Sequence, residues 1–321
     1  MLNDKELPKT LQQAIKYFSD DLTCINLIAS RRWVDGQAVC PKCNDKNNTF
    51  LPSRKVWQCK NKECRKQFSV KVGTIFEDSP VGLDKWLTAV WLIVGAKNGI
   101  SSYEIHRAIG VTQKTAWFMV HRIRIAMETG TFEKLSGTVE ADETFIGGNA
   151  SNMHQTKRDR FNMKGGRIDH KSVVLGMVER QGKVKAKVVN DARMRTLQSV
   201  LKEHIGEGSN LFTDGHGAYD NLHNTFVRDT INHSVEYVRG NVHTNSIENF
   251  WSLLKRTIKG TYVSVEASHL QKYVEEQVFR FNERKGNDSD RFNKITTQLA
   301  GKRLTYADLT GKTESARLLS L

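Results

Sequence analysis

The stretch GTVEADETFIGG, residues 137–148, decides how the second half of this chain is read. Read as a strand, it sends Glu140 and Asp142 to one face and Val139, Ala141 and Glu143 to the other, because side chains alternate along an extended backbone. A metal can meet only one of those faces. Downstream, KSVVLGMVER and VKAKVVN read as strands, MRTLQSVLKEHI as a helix, and NLFTDG and HSVEYV as further strands. Three strands followed by helices interleaved with strands predict a mixed α/β sheet. The basic insert at 151–171 reads as a mobile loop between the first two strands.

Two more acids join Asp142. The apolar strand in NLFTDGHGAYDNL runs into Asp214 and a glycine turn, which projects that carboxylate from a strand end, although a plain Asp-Gly turn has the same signature. TNSIENFWSLLKR, 244–256, opens an amphipathic helix. Its stripe of Ile247, Trp251, Leu254 and Ile258 is fit for burial, while Glu248, Ser252, Lys255 and Lys259 line the adjoining edge. Asn245 stands three residues before Glu248, the spacing of a capping box, and is expected to start the helix. Two strand-end aspartates and a helix-borne acid suit a pair of Mg²⁺ or Mn²⁺ ions about 3.5–4 Å apart, the arrangement of two-metal phosphoryl transfer. In that scheme Asp142 bridges the ions, and Asp214 and Glu248 hold one each.

The 321 residues carry a net charge of +14 with 38% hydrophobic residues, too apolar for a disordered basic tail and suited to a folded polyanion binder. The longest apolar run, AVWLIVGA at 89–96, falls far short of the roughly 20 residues of a spanning helix, and the N-terminus lacks the apolar segment of a secretory signal. A cytoplasmic, nucleoid-associated protein is expected, with no membrane partner.

All five cysteines lie within the first 64 residues. Cys40, Cys43, Cys59 and Cys64 form two pairs spaced to bind one structural Zn²⁺ tetrahedrally, leaving Cys24 as a buried thiol. The second knuckle, CKNKEC, is longer than usual. From Arg31 to Lys71 the chain carries a local charge of +8, so the ribbon itself is expected to lie on nucleic acid. SSYEIHRAIGVTQKTAWFMVHRIRIAM, 101–127, fits a helix-turn-helix, with Ser101 and Glu104 as a capping box, Gly110 at the turn, and Ala116, Val120, Ile123 and Met127 buried. The opposite face offers Gln113, Lys114, Trp117 and His121 to a major groove, and Arg122 and Arg124 to phosphates. A helical hairpin packing two domains has the same pattern.

With ADETFIGG, TDGHGAY and HTNSIENFWSLLKR in this order, the chain resembles bacterial insertion-sequence transposases of the DDE type, in the ISXO-like branch with an N-terminal zinc ribbon. The resemblance spans about residues 20–285. It implies an RNase H-like core, Mg²⁺-dependent strand cleavage and strand transfer at element ends, and action on terminal repeats and target DNA as a homodimer or larger assembly. Asp142 and Asp214 match the family's first two acids. The third is Glu or Asn in that branch, and both Glu248 and Asn245 are present; Lys255 matches the downstream basic residue. The expected organisation is an N-terminal helical segment (1–35), zinc ribbon (36–76), helix-turn-helix (80–130), catalytic core (137–262) and C-terminal helical segment (263–321). The competing readings are a zinc-ribbon and helix-turn-helix DNA-binding regulator, and a domesticated transposase that binds DNA without catalysis.

Overall fold

The computed structural model describes residues 7–128, 133–148, 154–156, 171–231 and 243–312. The chain divides into two units, Met1–Glu128 with Glu283–Leu321, and Thr129–Asn282. The first opens with helices α1 (Leu11–Phe18) and α2 (Asp21–Arg32), followed by the ribbon strands β1 (Asn48–Leu51), β2 (Val56–Cys59) and β3 (Gln67–Phe68), an antiparallel sheet in that order. Helices α3 (Leu83–Gly95), α4 (Ser102–Ile109) and α5 (Gln113–Met127) complete its N-terminal part. α3 ends at Gly95, and the chain turns at Gly99 with φ +83. It buries Trp86, Leu87, Val90, Trp91 and Val94.

The second unit is built on β4 (Thr138–Ile146), β5 (Ser172–Glu179) and β6 (Val184–Val189), then helix α6 (Met194–His204), strands β7 (Asn210–Asp214) and β8 (Val227–Ile231), and helices α7 (Asn245–Thr257) and α8 (Leu270–Asn282). Its five strands lie in the order β6-β5-β4-β7-β8. β5 runs antiparallel to both β6 and β4, whereas β7 and β8 run parallel to β4. This is the mixed sheet expected of an RNase H-like core, with β4 at its centre. The expected strand HSVEYV lies outside the described residues, as does most of the basic insert. β8, with sequence VRDTI, is a strand that its charged residues hid from sequence reading.

Alternation along the strands explains the two layers. Val139, Ala141, Val173, Leu175 and Met177 face one core with Leu197 and Leu201 of α6. Val174, Val178, Val184 and Ala186 face another with Ile247, Phe250, Trp251 and Leu254 of α7 and Val274, Val278 and Phe281 of α8. Gly176 lies beneath α7, where a Cβ would come within 2.6 Å of Ile247 and Trp251. A larger residue there would push the helix off the sheet.

The C-terminal segment is divided at Asn282. Its remainder returns to the first unit as α9 (Asp288–Thr297) and α10 (Tyr306–Leu309). Phe292 of α9 anchors it there, its ring centroid 5.3 Å from those of both Phe18 and Trp91.

Candidate active site and metal centre

β4 and β7 set the positions of two acids. Their parallel register pairs Thr138 with Asn210, Val139 with Leu211 and Glu140 with Phe212; carried two residues further, it brings Asp142 level with Asp214. Asp142 sits across from Gly176 on β5, and the space that glycine leaves lets the Trp251 indole donate from Nε1 to Asp142 Oδ2 at 2.9 Å. Burial pushes the Asp142 carboxyl up to about 7; Glu143 and Asp214 add to the rise, and the Trp251 hydrogen bond opposes it. Asp214 caps its own turn by accepting from the His216 backbone N–H at 3.0 Å.

α7 carries the other residues of the expected set. Its buried stripe contains Ile247, Trp251 and Leu254 and continues to Ile258 just past its end, while Glu248 and Lys255 on the helix and Lys259 beyond it are exposed. Glu248 stands one turn before Trp251 and accepts from Thr244 Oγ1 at 3.2 Å. The expectation that Asn245 caps the helix is corrected: Thr244 occupies the cap position, and Asn245 is the first helical residue, exposed. The free N–H groups of this terminus are met from a distance, since the Glu140 carboxylate accepts from Ser246 N at 2.8 Å and Ile247 N at 3.1 Å. Sequence reading placed Glu140 on the face of Asp142 but gave it no partner.

A fourth carboxylate was missed. Glu143, on the opposite face of β4, accepts from the Tyr219 hydroxyl and lies 3.1 Å from His216 Nδ1. Burial pushes the Tyr219 hydroxyl pKa up, and the Glu143 charge adds to the rise, so this tyrosine remains a donor. The only sequence hint was a polar residue on an otherwise apolar strand face. Asp142, Glu143 and Asp214 are thus three acids near enough for the charges of the latter two to raise the Asp142 carboxyl.

In the ribbon, Cys40, Cys43, Cys59 and Cys64 converge, with all four sulfurs within 4.8 Å of one another. Sulfur separations of 3.7 Å for Cys40–Cys64 and 3.6 Å for Cys43–Cys59 match the edge of about 3.8 Å that a tetrahedron of Zn–S bonds near 2.3 Å requires. The quartet therefore fits a structural Zn²⁺. The long second knuckle is the first one displaced: Asn44 N bonds to Cys40 O at 2.9 Å, and Arg65 N bonds to Asn61 O at 3.0 Å. Asn61 thereby fills the turn position that Cys40 fills in the first knuckle, and both Asn44 and Arg65 adopt positive φ. Among the described residues this quartet is the group of three or more such ligands gathered for a metal, and the three acids are not drawn into one.

The expected DNA-reading helix is changed most. α4 has its Ser101–Glu104 capping box and ends in a left-handed Gly110, and α5 buries Ala116, Val120, Ile123 and Met127 as expected. However, His121, Arg122 and Arg124 are buried as well, at 0%, 4% and 2% exposure. Arg122 donates to the carbonyls of Leu304, Ile75 and Glu77 at 3.0, 3.0 and 2.6 Å. The C-terminal half of α5 is thus enclosed on faces that a period-3.6 pattern assigns to solvent, so these three residues do not present themselves to DNA. Lys114 is exposed, with its ammonium over the Tyr306 ring at 4.8 Å, and Gln113 and Trp117 are half-buried near the helix start.

Among the described residues no helix is long and apolar enough to cross a membrane. Residues 134–282 match the ISXO2-like transposase domain, and residues 19–67 match a transposase zinc-ribbon domain. A protein of Halobacterium salinarum, described as an uncharacterized protein in transposable element ISH50, is 32% identical over 257 residues, covering 75% of this chain and 84% of its own. An uncharacterized transposase-like protein of Haemophilus influenzae is 31% identical over 101 residues, 31% of this chain and 81% of its own.

Proposed function

Since the chain belongs to the ISXO2-like transposase family, we propose that it cuts double-stranded DNA at the terminal repeats of an insertion sequence and joins the resulting 3′-hydroxyl ends to target DNA. Asp142, Asp214 and Glu248 hold the catalytic Mg²⁺ or Mn²⁺ ions. When bound, such ions lower the pKa of an attacking water or hydroxyl and neutralise charge on the leaving oxygen. The observation that supports this reading is that β4 and β7 are adjacent parallel strands whose register, continued two residues past Glu140 and Phe212, brings Asp142 level with Asp214. Asp214 is one of the acids that add to the burial-driven rise of the Asp142 carboxyl to about 7.

The other residues take roles from their positions. Trp251 fixes the Asp142 carboxylate by donating to its Oδ2. Lys255, exposed two turns after Glu248 on the same edge of α7, meets a DNA phosphate near the cut. Asn245, exposed at the start of that helix, is the alternative third ligand and is separated from Glu248 by comparing Asn245→Ala with Glu248→Gln. The zinc ribbon, with exposed Lys42, Arg54, Lys60, Lys62, Arg65 and Lys66, supplies phosphate contacts. Gln113, Lys114 and Trp117 at the start of α5 remain available for groove contacts. The active species is a dimer or larger assembly on paired ends, working where the DNA lies, in the cytoplasm at the nucleoid.

The test is Mg²⁺-dependent cleavage of a DNA end by the full chain and by Asp142→Asn. Loss of cleavage with DNA affinity retained is expected; robust metal-dependent cleavage by Asp142→Asn overturns the site.

A further inference from the structure

The Glu140 carboxylate is fully buried and shared among several donors. Oε2 takes the backbone N–H groups of Ser246 and Ile247. Oε1 takes the Ser246 hydroxyl at 3.0 Å and Arg180 Nε at 2.9 Å, with His243 Nδ1 at 3.3 Å. Arg180 also donates to the His243 carbonyl at 3.0 Å and lies over the Phe212 ring at 4.7 Å. One side chain of the central strand therefore ties together the end of β5, the face of β7 and the first turn of α7. Thr244, at the cap of α7, makes no side-chain cap bond.

Geometry gives this junction a second meaning. Glu140 and Asp142 are same-face neighbours on β4, about 6.6 Å apart along the strand. The points they grip on α7, Ser246–Ile247 and Trp251, are four to five residues apart, a rise of about 6–7.5 Å. Two consecutive same-face acids of β4 therefore hold the helix at two points, its first turn and Trp251. Glu248 lies between those points.

We propose that Glu140 is a positioning residue for the metal site, acting through α7 to present Glu248 beside Asp142. The inference rests on the catalytic reading above. The competing role is a buried ion pair with Arg180 that serves the fold and leaves Glu248 unaffected.

Length and charge separate the two roles. Glu140→Gln keeps the reach and an oxygen for Ser246 and Ile247 but loses the charge; Glu140→Asp keeps the charge but is one methylene too short. The experiment titrates the zinc-loaded full chain with Mn²⁺, reading both the Mn²⁺-induced rise in Tm and the Mn²⁺ requirement of DNA-end cleavage. Groups that orient metal ligands typically contribute about 10–100-fold in metal affinity, so Glu140→Asp is expected to raise both midpoints by about 10-fold and Glu140→Gln by much less. In a Glu248→Gln background the Tm-midpoint shift from Glu140→Asp should largely vanish, because the two residues act as one unit. If Glu140→Asp does not fold, Ser246→Ala replaces it in the same titration, with a smaller shift that also vanishes with Glu248→Gln.

Glu140→Asp matching wild type, Glu140→Gln shifted further than Glu140→Asp, or an undiminished shift in the Glu248→Gln background each overturns the proposal. Wild-type protein with neither a Mn²⁺-dependent rise in Tm nor cleavage overturns the catalytic reading, and this inference with it. A wild-type response that Asp142→Asn abolishes but Glu140→Asp and Ser246→Ala leave unchanged overturns this inference alone.

Discussion

In the zinc ribbon, two turns of one build gather four thiols from residues 40 to 64, whereas the acids of the second unit come from a central strand, its parallel neighbour and a helix that begins at Asn245. The ribbon's metal site needs little beyond its own segment. The acid site needs strand register, a glycine that admits Trp251, and a helix anchored through Glu140. The first should therefore fail locally and as a whole, while the second should be graded and open to change from residues that touch no metal.

Zinc removal is the strongest way to probe that contrast. Structural zinc contributes on the order of 10 kcal/mol to small metal-bound modules, so chelation or Cys40→Ser should unfold the ribbon while the sheet unit stays folded. Trp33, at the end of α2, and Trp57 of β2, whose ring centroids are 4.9 Å apart, report the change in fluorescence. Loss of hydrogen-exchange protection in β4 on chelation would erase the distinction.

On the acid side, Asp214→Asn is expected to lower cleavage by about 10²–10³-fold, the usual effect of removing one preorganised electrostatic contact to a transition state. DNA affinity should remain if the basic ribbon carries the phosphate contacts as proposed; a binding defect as large as the cleavage defect argues against a metal role. Arg122→Ala strands three interior carbonyls and should cost about 3 kcal/mol in denaturant unfolding of the first unit. The salt dependence of DNA binding should keep its slope in that variant. A shallower slope with unchanged stability would restore Arg122 to the DNA surface.

The smallest effect is a pH dependence. The Asp142 carboxyl rises from an ordinary value of 3.8 to about 7, mainly through burial. Between about pH 4 and 7 the folded protein keeps a proton that the unfolded chain has released, so stability falls as pH rises, and the loss is complete above 7. Without added divalent ion, Asp142→Asn should remove that slope and stabilise the sheet unit at pH 8 by about 1–3 kcal/mol. Equal slopes in wild type and variant contradict the assignment of that titration to Asp142.

Where a feature depended on neighbouring residues, the sequence disclosed it. The cysteine pairs, the Ser101–Glu104 box, the alternation of β4 and the buried stripe of α7 all belong to that kind. Periodicity gives the angle of a side chain around its helix but not how many elements press on that helix. His121, Arg122 and Arg124 were therefore assigned to an open face that the first unit in fact encloses. The Asn245 capping box failed for a related reason, because a local motif was displaced by a carboxylate from β4, far away in sequence. Alternation separates Glu140 from Glu143 by face, but only tertiary contacts show that the first anchors α7 and the second pairs with Tyr219.

The central claim, one metal site shared by two strands and a helix, is tested most directly by anomalous diffraction from zinc-loaded crystals soaked in Mn²⁺. The expected result is manganese density within ligand distance of Asp142 and Asp214, together with a carboxylate or amide from the first turn of α7, and zinc density among Cys40, Cys43, Cys59 and Cys64. Fully loaded crystals with the zinc peak present and no manganese at Asp142 would contradict it.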